Sequence, residues 1–274
     1  MEGLLKGKVA IVTGSGRGIG RAAAELLARH GARVVVSDID PDPAAEVTSA
    51  IRASGGEAIT KAGDVTASEF PEQIVNAAIQ NFGGLDIIVN NAGYTWDSVI
   101  HKMTDEQWEQ ILAIHLTAPF RIIRAASSHF RESAKREKAS SGRAVARKIV
   151  NISSTSGTRG NAGQVNYASG KAGIIGLSKT LAKEWGQFNV QINVVAFGRI
   201  ATRLTQAKEK GETLQRGTEK IAVGIPAERL ELTTPLIPLG RPGTTEEAAG
   251  PILFFASALS DYISGQVLEV AGGL

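Results

Sequence analysis

The chain has 274 residues, 43% of them hydrophobic, which is enough for a buried core and too few for a membrane protein. No apolar run approaches the ~18 residues of a spanning helix, and the opening MEGLLKGKVAIVTG lacks a signal-peptide layout. The absence of cysteine excludes disulfides and thiolate metal sites and points to a cytoplasmic protein, while 30 basic against 27 acidic residues, net +3, give no nucleic-acid signature.

KVAIVT (8–13) reads as a strand and GRAAAELLARHG as the helix after it. RVVVSD (33–38) is a second strand, followed by a helical stretch to about Ser54. EAITKAGDV (57–65), a helix over 68–82, and DIIVNNAG (86–93) come next. KIVNISS (148–154) and VQINVVA (190–196) follow the next two helices, and QVLEVAGG (266–273) closes the series. This alternation predicts an α/β fold: a doubly wound parallel sheet in three α/β/α layers, as one domain over residues 1–274. The strands are apolar without clear alternation, as strands covered on both faces are.

Two segments interrupt the pattern. Residues 131–148, RESAKREKASSGRAVARK, hold seven basic and two acidic side chains and read as a helix end followed by an exposed loop. Residues 199–243 form an unusually long connection, with charged helical character at TQAKEKGETLQRGTEK. Its length marks the part around 199–240 as a substrate lid.

The first strand runs into TGSGRGIG (13–20). Gly14, Gly18 and Gly20 allow a tight turn, close approach of backbone to a ligand and close helix–strand packing. The helix that follows aims its first amides at the loop, which suits a pyrophosphate. Asp38 ends the second strand 20 residues after Gly18, where a carboxylate accepts from an adenosine ribose and repels a 2′-phosphate. The expected cofactor is NAD, with NADP as the alternative given the nearby Arg17 and Arg33. The competing role for Asp38 is to cap the helix after DIDPDP. Further along, Tyr167 and Lys171 in NYASGK stand at i and i+4, on one helix face.

TGSGRGIG, GDV (63–65), NNAG (90–93), the serine of NISS and YASGK (167–171), in this order and spacing, resemble the short-chain dehydrogenase/reductase family over nearly the whole chain. The stretch LGRPGTTEEAA (239–249) resembles its 3-oxoacyl-carrier-protein reductase-like branch. The resemblance implies that Arg17 and Ile19 belong to the cofactor loop, that Asp64 and Val65 lie along adenine, and that Asn91, Ala92 and Gly93 shape the pocket floor. It places Gly198, Ile200 and Thr202 at the nicotinamide, with Phe197 standing where the family has proline. It also assigns an acid–base role to Tyr167, a tuning and ribose-holding role to Lys171, and an oxygen-binding role to Ser154 in preference to Ser153 or Ser156. A lysine ammonium beside the phenol would lower its value from ~10. His115 replaces the family's asparagine; it either packs against the fifth strand with one satisfied ring nitrogen or joins the proton relay as a fourth catalytic candidate, able to exchange protons near ~6.5.

The implied activity is nicotinamide-dependent carbonyl/secondary-alcohol oxidoreduction, with 3-oxoacyl thioesters of acyl carrier protein or coenzyme A as substrates. An NAD-dependent sterol or polyol dehydrogenase is the alternative, and a non-enzymatic cofactor-sensing protein a remote one. The expected partners are the small-molecule substrate, acyl carrier protein docked on the basic 131–148 segment through Arg143, Arg147 and Lys148, and three further copies of the chain in a homotetramer. No nucleic acid, membrane or metal is expected.

Overall fold

The computed structural model describes residues 3–216 and 219–274. In chain order, β1 (Val9–Thr13) leads into α1 (Gly18–Arg29), β2 (Arg33–Ser37) into α2 (Pro41–Ala53), and β3 (Glu57–Thr60) into α3 (Phe70–Phe82). β4 (Ile87–Asn90) is followed by α4 (Asp105–Leu112), a π-helical turn at Ala113–Thr117 and α5 (Ala118–Ser141). β5 (Arg147–Ser154) runs into the short α6 (Thr155–Arg159) and then α7 (Val165–Trp185), and β6 (Val190–Phe197) opens the long connection. That connection contains β7 (Thr213–Arg216), β8 (Glu219–Ala222) and α8 (Ala227–Thr233), before α9 (Thr245–Ala256) and β9 (Val267–Val270).

The main sheet has the order β3-β2-β1-β4-β5-β6-β9, and its pairings are parallel. The chain leaves β1 toward β2 and β3, then crosses back to place β4 on the other side. That reversal opens a crevice outside the carboxyl ends of β1 and β4. β1 explains the apolar strands. Val9 and Ile11 pack into one core layer, Ala10 and Val12 into the other, and all four are buried. Leu27, Val47 and Ile252 of α1, α2 and α9 cover one face, and Ile74, Ile111 and Phe130 of α3, α4 and α5 belong to the cluster on the other. Each such side chain contributes roughly 1.5–3 kcal/mol on burial. Capping boxes start α4 (Thr104 with Gln107) and α9 (Thr244 with Glu247).

Residues 131–148 form a helix end and a loop at 142–146 in which Arg143 and Val145 are exposed, as expected, but the last two residues, Arg147 and Lys148, are not part of it. α5 continues to Ser141, and Gly142 terminates it in the left-handed conformation (φ 78°). Arg147 and Lys148 are already the first residues of β5, only 5% and 3% exposed. Arg147 bonds both Glu137 oxygens, at 2.6 and 3.0 Å, and Lys148 pairs with Asp261 at 2.7 Å. A run of charges reads as solvated until its counter-ions are known, and these come from other elements. The pair also sits at the start of β5, seven residue steps from Ser154, or roughly 23 Å at ~3.3 Å per residue. It therefore offers no basic docking surface beside the crevice.

TQAKEKGETLQRGTEK is not helical either. One 3₁₀ turn at Lys208–Lys210 is followed by an antiparallel hairpin that pairs Thr213 with Ala222 and Leu214 with Ile221. Residues 217–218 lie outside the described residues. Leu214, Ile221 and Val223 are buried in one cluster with Leu204. Alternation of period two was present, but the surrounding charges masked it.

Candidate active site

A cavity of about 950 Å³ runs along the carboxyl edge of the sheet, at the upper end of ligand pockets of ~300–1,000 Å³. The residues singled out from the sequence line it: Gly14, Arg17, Gly18, Ile19, Gly20, Asp38, Asp64, Val65, Asn91, Ala92, Gly93, His115, Ser154, Tyr167, Lys171, Gly198, Ile200 and Thr202. Positions up to 188 residues apart in the chain thus meet in one crevice, Gly14 and Thr202 being the extremes.

The cofactor half is built by close backbone contacts. A Cβ on Gly20 would lie 2.1 Å from the Gly14 carbonyl oxygen, and one on Gly14 would lie 2.7 Å from Ala92 Cα. Asn91 donates through Nδ2 to the carbonyls of Thr13 and Gly14, both at 3.0 Å, while the Asn91 and Ala92 amides donate to Thr13 Oγ1 at 3.1 Å. NNAG therefore locks the phosphate loop to β4. α1 has no side-chain N-cap and no acidic residue in its first turn, so its positive end stays available to an anion. Asp38 Oδ2 accepts from the Gly16 amide at 2.9 Å, which orients the carboxylate at the end of β2. Arg17 is ion-paired with Asp40 at 2.6 Å. Asp64 turns Oδ1 to the Thr66 amide and hydroxyl, each at 2.8 Å. Phe197, in the proline's place, is the last residue of β6 and is buried in the core. The donor set suits a dinucleotide: free amides at a helix end, a carboxylate for a ribose, and room for both halves.

At the other half, two reciprocal bonds dock α7 on β5. Lys171 Nζ donates to the Ile152 carbonyl at 2.7 Å, and Ser153 Oγ donates to the Lys171 carbonyl at 2.7 Å. Ser153 is thereby committed, and Ser156 Oγ is bonded to Gln164 Oε1 at 2.9 Å. That leaves Ser154 beside the phenol, its Oγ accepting from the Ser156 amide at 3.1 Å. Burial pushes the Tyr167 phenol up to about 12; the Ser154 hydroxyl opposes the rise and Asp97 adds to it. Burial brings the Lys171 amine down to about 7. The expected lowering of Tyr167 by Lys171 is therefore not found. The amine is turned to Ile152 and lies 5.7 Å from the phenol ring centre, and burial, not the ammonium, governs the phenol.

His115 sits in the π-turn, 3% exposed. Its Nε2 lies 2.7 Å from the Tyr94 carbonyl, which accepts only, so Nε2 carries the proton. The ring stands edge-on to Tyr167, centroids 4.9 Å apart at 89°. A Cβ on Gly93 would come within 2.2 Å of the imidazole, so glycine is required there. Burial first, and the charge of Lys171 second, hold His115 well below its ordinary value. It stays neutral through the neutral range, which corrects the expectation that it exchanges protons near pH 6.5.

The sequence reading missed several residues of the site. Gln164 Nε2 donates to Asp97 Oδ2 at 2.8 Å and joins two loops 67 positions apart. Asn166 Nδ2 donates to the Trp96 and Gln107 carbonyls at 3.1 and 3.0 Å and seats the head of α7. Arg203 and Leu204 reach the cavity from the long connection after β6. No spacing signals these, apart from the adjacency of Asn166 to Tyr167.

The folded value of Lys171 lies below the 10.5 of a free amine. Between pH ~7 and ~10.5 the unfolded chain therefore binds more protons at this site, and stability rises with pH across that window. Lys171→Met should raise the melting temperature at pH 7 and flatten the rise. Calorimetry from pH 7 to 10 reads this, and an unchanged slope would contradict it.

Residues 8–213 match the family model for short chain dehydrogenase. The chain is 37% identical over 271 residues to the 3-oxoacyl-[acyl-carrier-protein] reductase FabG of Vibrio cholerae, covering 98% of each. Identity to the FabG of Aquifex aeolicus is 39% over 278 residues and 100% of each chain, and to that of Escherichia coli 36% over 269 residues and 98% of each. Among solved structures, a short-chain type dehydrogenase/reductase from Mycobacterium marinum superposes with a TM-score of 0.82 at 28% identity, over 98% of this chain and 95% of that one. The family match reaches from β1 to the first residue of β7, and the chain belongs to the short-chain dehydrogenase/reductase family: it is a nicotinamide-dependent oxidoreductase of carbonyl and CH–OH groups.

Proposed function

We propose that the chain reduces 3-oxoacyl thioesters, carried on acyl carrier protein or coenzyme A, with Ser154, Tyr167 and Lys171 as the reacting constellation. The observation that carries this reading is the Tyr167 phenol, a proton donor beside Ser154 and Lys171 in the cavity that also contains the phosphate loop. Reduction needs a proton donor, whereas oxidation needs a phenolate. The 36–39% identity to 3-oxoacyl-[acyl-carrier-protein] reductases supports the substrate class.

The cofactor, when bound, supplies the hydride. The Ser154 hydroxyl donates to the substrate's carbonyl oxygen and stabilises the charge that gathers there. Tyr167 gives its proton to that oxygen as the carbon is reduced, and a ketone becomes a secondary alcohol. Lys171 holds ribose hydroxyls and serves the reprotonation of Tyr167. His115 acts through its neighbours: Nε2–H fixes the Tyr94 carbonyl and the ring edge supports the phenol. The 199–240 segment covers the substrate end as a lid on a one-domain chain. The polar rim of Asp97, Gln164 and Ser156 favours a second reading, a sterol or polyol dehydrogenase.

The oriented Asp38 carboxylate supports NAD as the cofactor. The apolar side chains of Ile100, Trp108, Phe120 and Val165, exposed around α4, α5 and the start of α7, support a homotetramer.

Tyr167→Phe should keep cofactor binding and lose turnover by ~10³-fold or more on 3-oxoacyl thioesters, in a panel that includes sterols and polyols. His115→Asn should keep most turnover without losing a limb from its pH profile near neutrality. Near-normal turnover in the first variant, or a lost limb in the second, would refute the role concerned. NADH should outperform NADPH by about tenfold in kcat/KM, as a poorly accommodated 2′-phosphate requires; a clear NADPH preference reverses the Asp38 argument. Light scattering should give four copies per particle, and a monomer would reject the assembly.

A further inference from the structure

The lid delivers a guanidinium to the cofactor half of the cavity. Thr202 lies against the phosphate loop: a Cβ on Gly18 would meet Thr202 Cγ2 at 3.6 Å. The next residue, Arg203, lines the cavity together with Arg17, Asp38 and Asp40. As the residue after Thr202, Arg203 enters the cavity beside the phosphate loop, on the side where Arg17, Asp38 and Asp40 stand.

Its surroundings are unusual for an arginine that needs only a structural partner. Asp40 is already paired with Arg17 at 2.6 Å. Asp38 accepts from the Gly16 amide at 2.9 Å and the Asp40 amide at 3.3 Å. Arg203 itself makes no hydrogen bond or ion pair among the described residues. Two guanidinium groups thus line one cavity, and burial first, with the Arg17 charge second, disfavours the charge on Arg203. An anion between them removes that cost. The uncapped start of α1 faces the same space, and a planar guanidinium grips phosphate oxygens in pairs.

We propose that Arg203 is a phosphate-binding residue of the cofactor site, a lid-borne cation that with Arg17 holds a phosphate on the adenosine half of the dinucleotide. The inference rests on the nicotinamide-cofactor assignment. Two phosphates share this chemistry, the 5′-diphosphate of either cofactor and the 2′-phosphate of NADP. A consequence follows for the lid. Leu204 packs in the same cluster as Leu214 and Ile221 of the hairpin, so a phosphate that draws in Arg203 also seats β7 and β8.

Titration calorimetry on the full chain separates the sources, with 5′-ADP, adenosine 2′-monophosphate and adenosine as probes. Arg203→Gln should weaken a phosphorylated probe by roughly tenfold, the loss of one charge-assisted bond pair, and leave adenosine unchanged. Loss on 5′-ADP assigns the diphosphate, and loss on the 2′-monophosphate alone assigns the 2′ position. Arg203→Lys, which keeps the charge, should fall between wild type and Arg203→Gln. Wild-type affinity for all three probes in Arg203→Gln, or an equal loss on all three, would overturn the proposal. A wild-type chain that binds none of the probes would overturn the cofactor assignment, and the role of Arg203 with it.

Discussion

The reciprocal bonds between β5 and α7 are the constraint on which the site depends. Lys171 Nζ reaches the Ile152 carbonyl, and the Lys171 carbonyl receives the Ser153 hydroxyl. Together they pin one turn of α7 to one position along β5. Ser154 is the next residue on the strand and Tyr167 the previous turn on the helix, so fixing the first pair sets the second. The fit tolerates little else. A Cβ on Gly157 would stand 2.6 Å from the Lys171 carbonyl carbon. The cost is a primary amine taken from water with one carbonyl partner, which is why its value falls to about 7. A phenol raised to about 12 by the same burial becomes a stored proton rather than a resting base.

The cofactor half is organised by a different device. Its residues meet through backbone atoms, with glycine wherever a side chain would collide. Asn91 ties the loop after β1 to the end of β4, across the point where strand order reverses. His115 extends the same logic toward the substrate. Its ring fills the space left open at Gly93 and holds the Tyr94 carbonyl, which joins the π-turn to the pocket floor. Buried and beside Lys171, it contributes shape and one hydrogen bond, not a titrating charge.

The parts of this architecture that were legible are local. The phosphate loop needs only a strand, a turn and a helix in succession. Tyr167 and Lys171 need only helical spacing. Ser154 was distinguishable from Ser153 and Ser156 only by family spacing, and its physical warrant is that the other two hydroxyls are engaged elsewhere. Charge was the most misleading cue. Arg147 and Lys148 read as solvated, yet each is buried against a carboxylate from another element. β7 and β8 alternate as strands do, but Glu219 and Lys220, with the charges at 208–212 before them, imitated a surface helix.

The sequence by itself determined the fold class, the phosphate loop, and the tyrosine, lysine and serine positions, because each depends on backbone geometry or spacing within a few turns of chain. The tertiary structure alone decided the protonation of Tyr167, Lys171 and His115, since a pKa is set by burial and by neighbours that the linear order does not reveal. It also decided the polar rim, where Asp97 meets Gln164 across 67 positions. The approach of Arg203 to the phosphate loop belongs to the same class, because only folding of the lid brings it there.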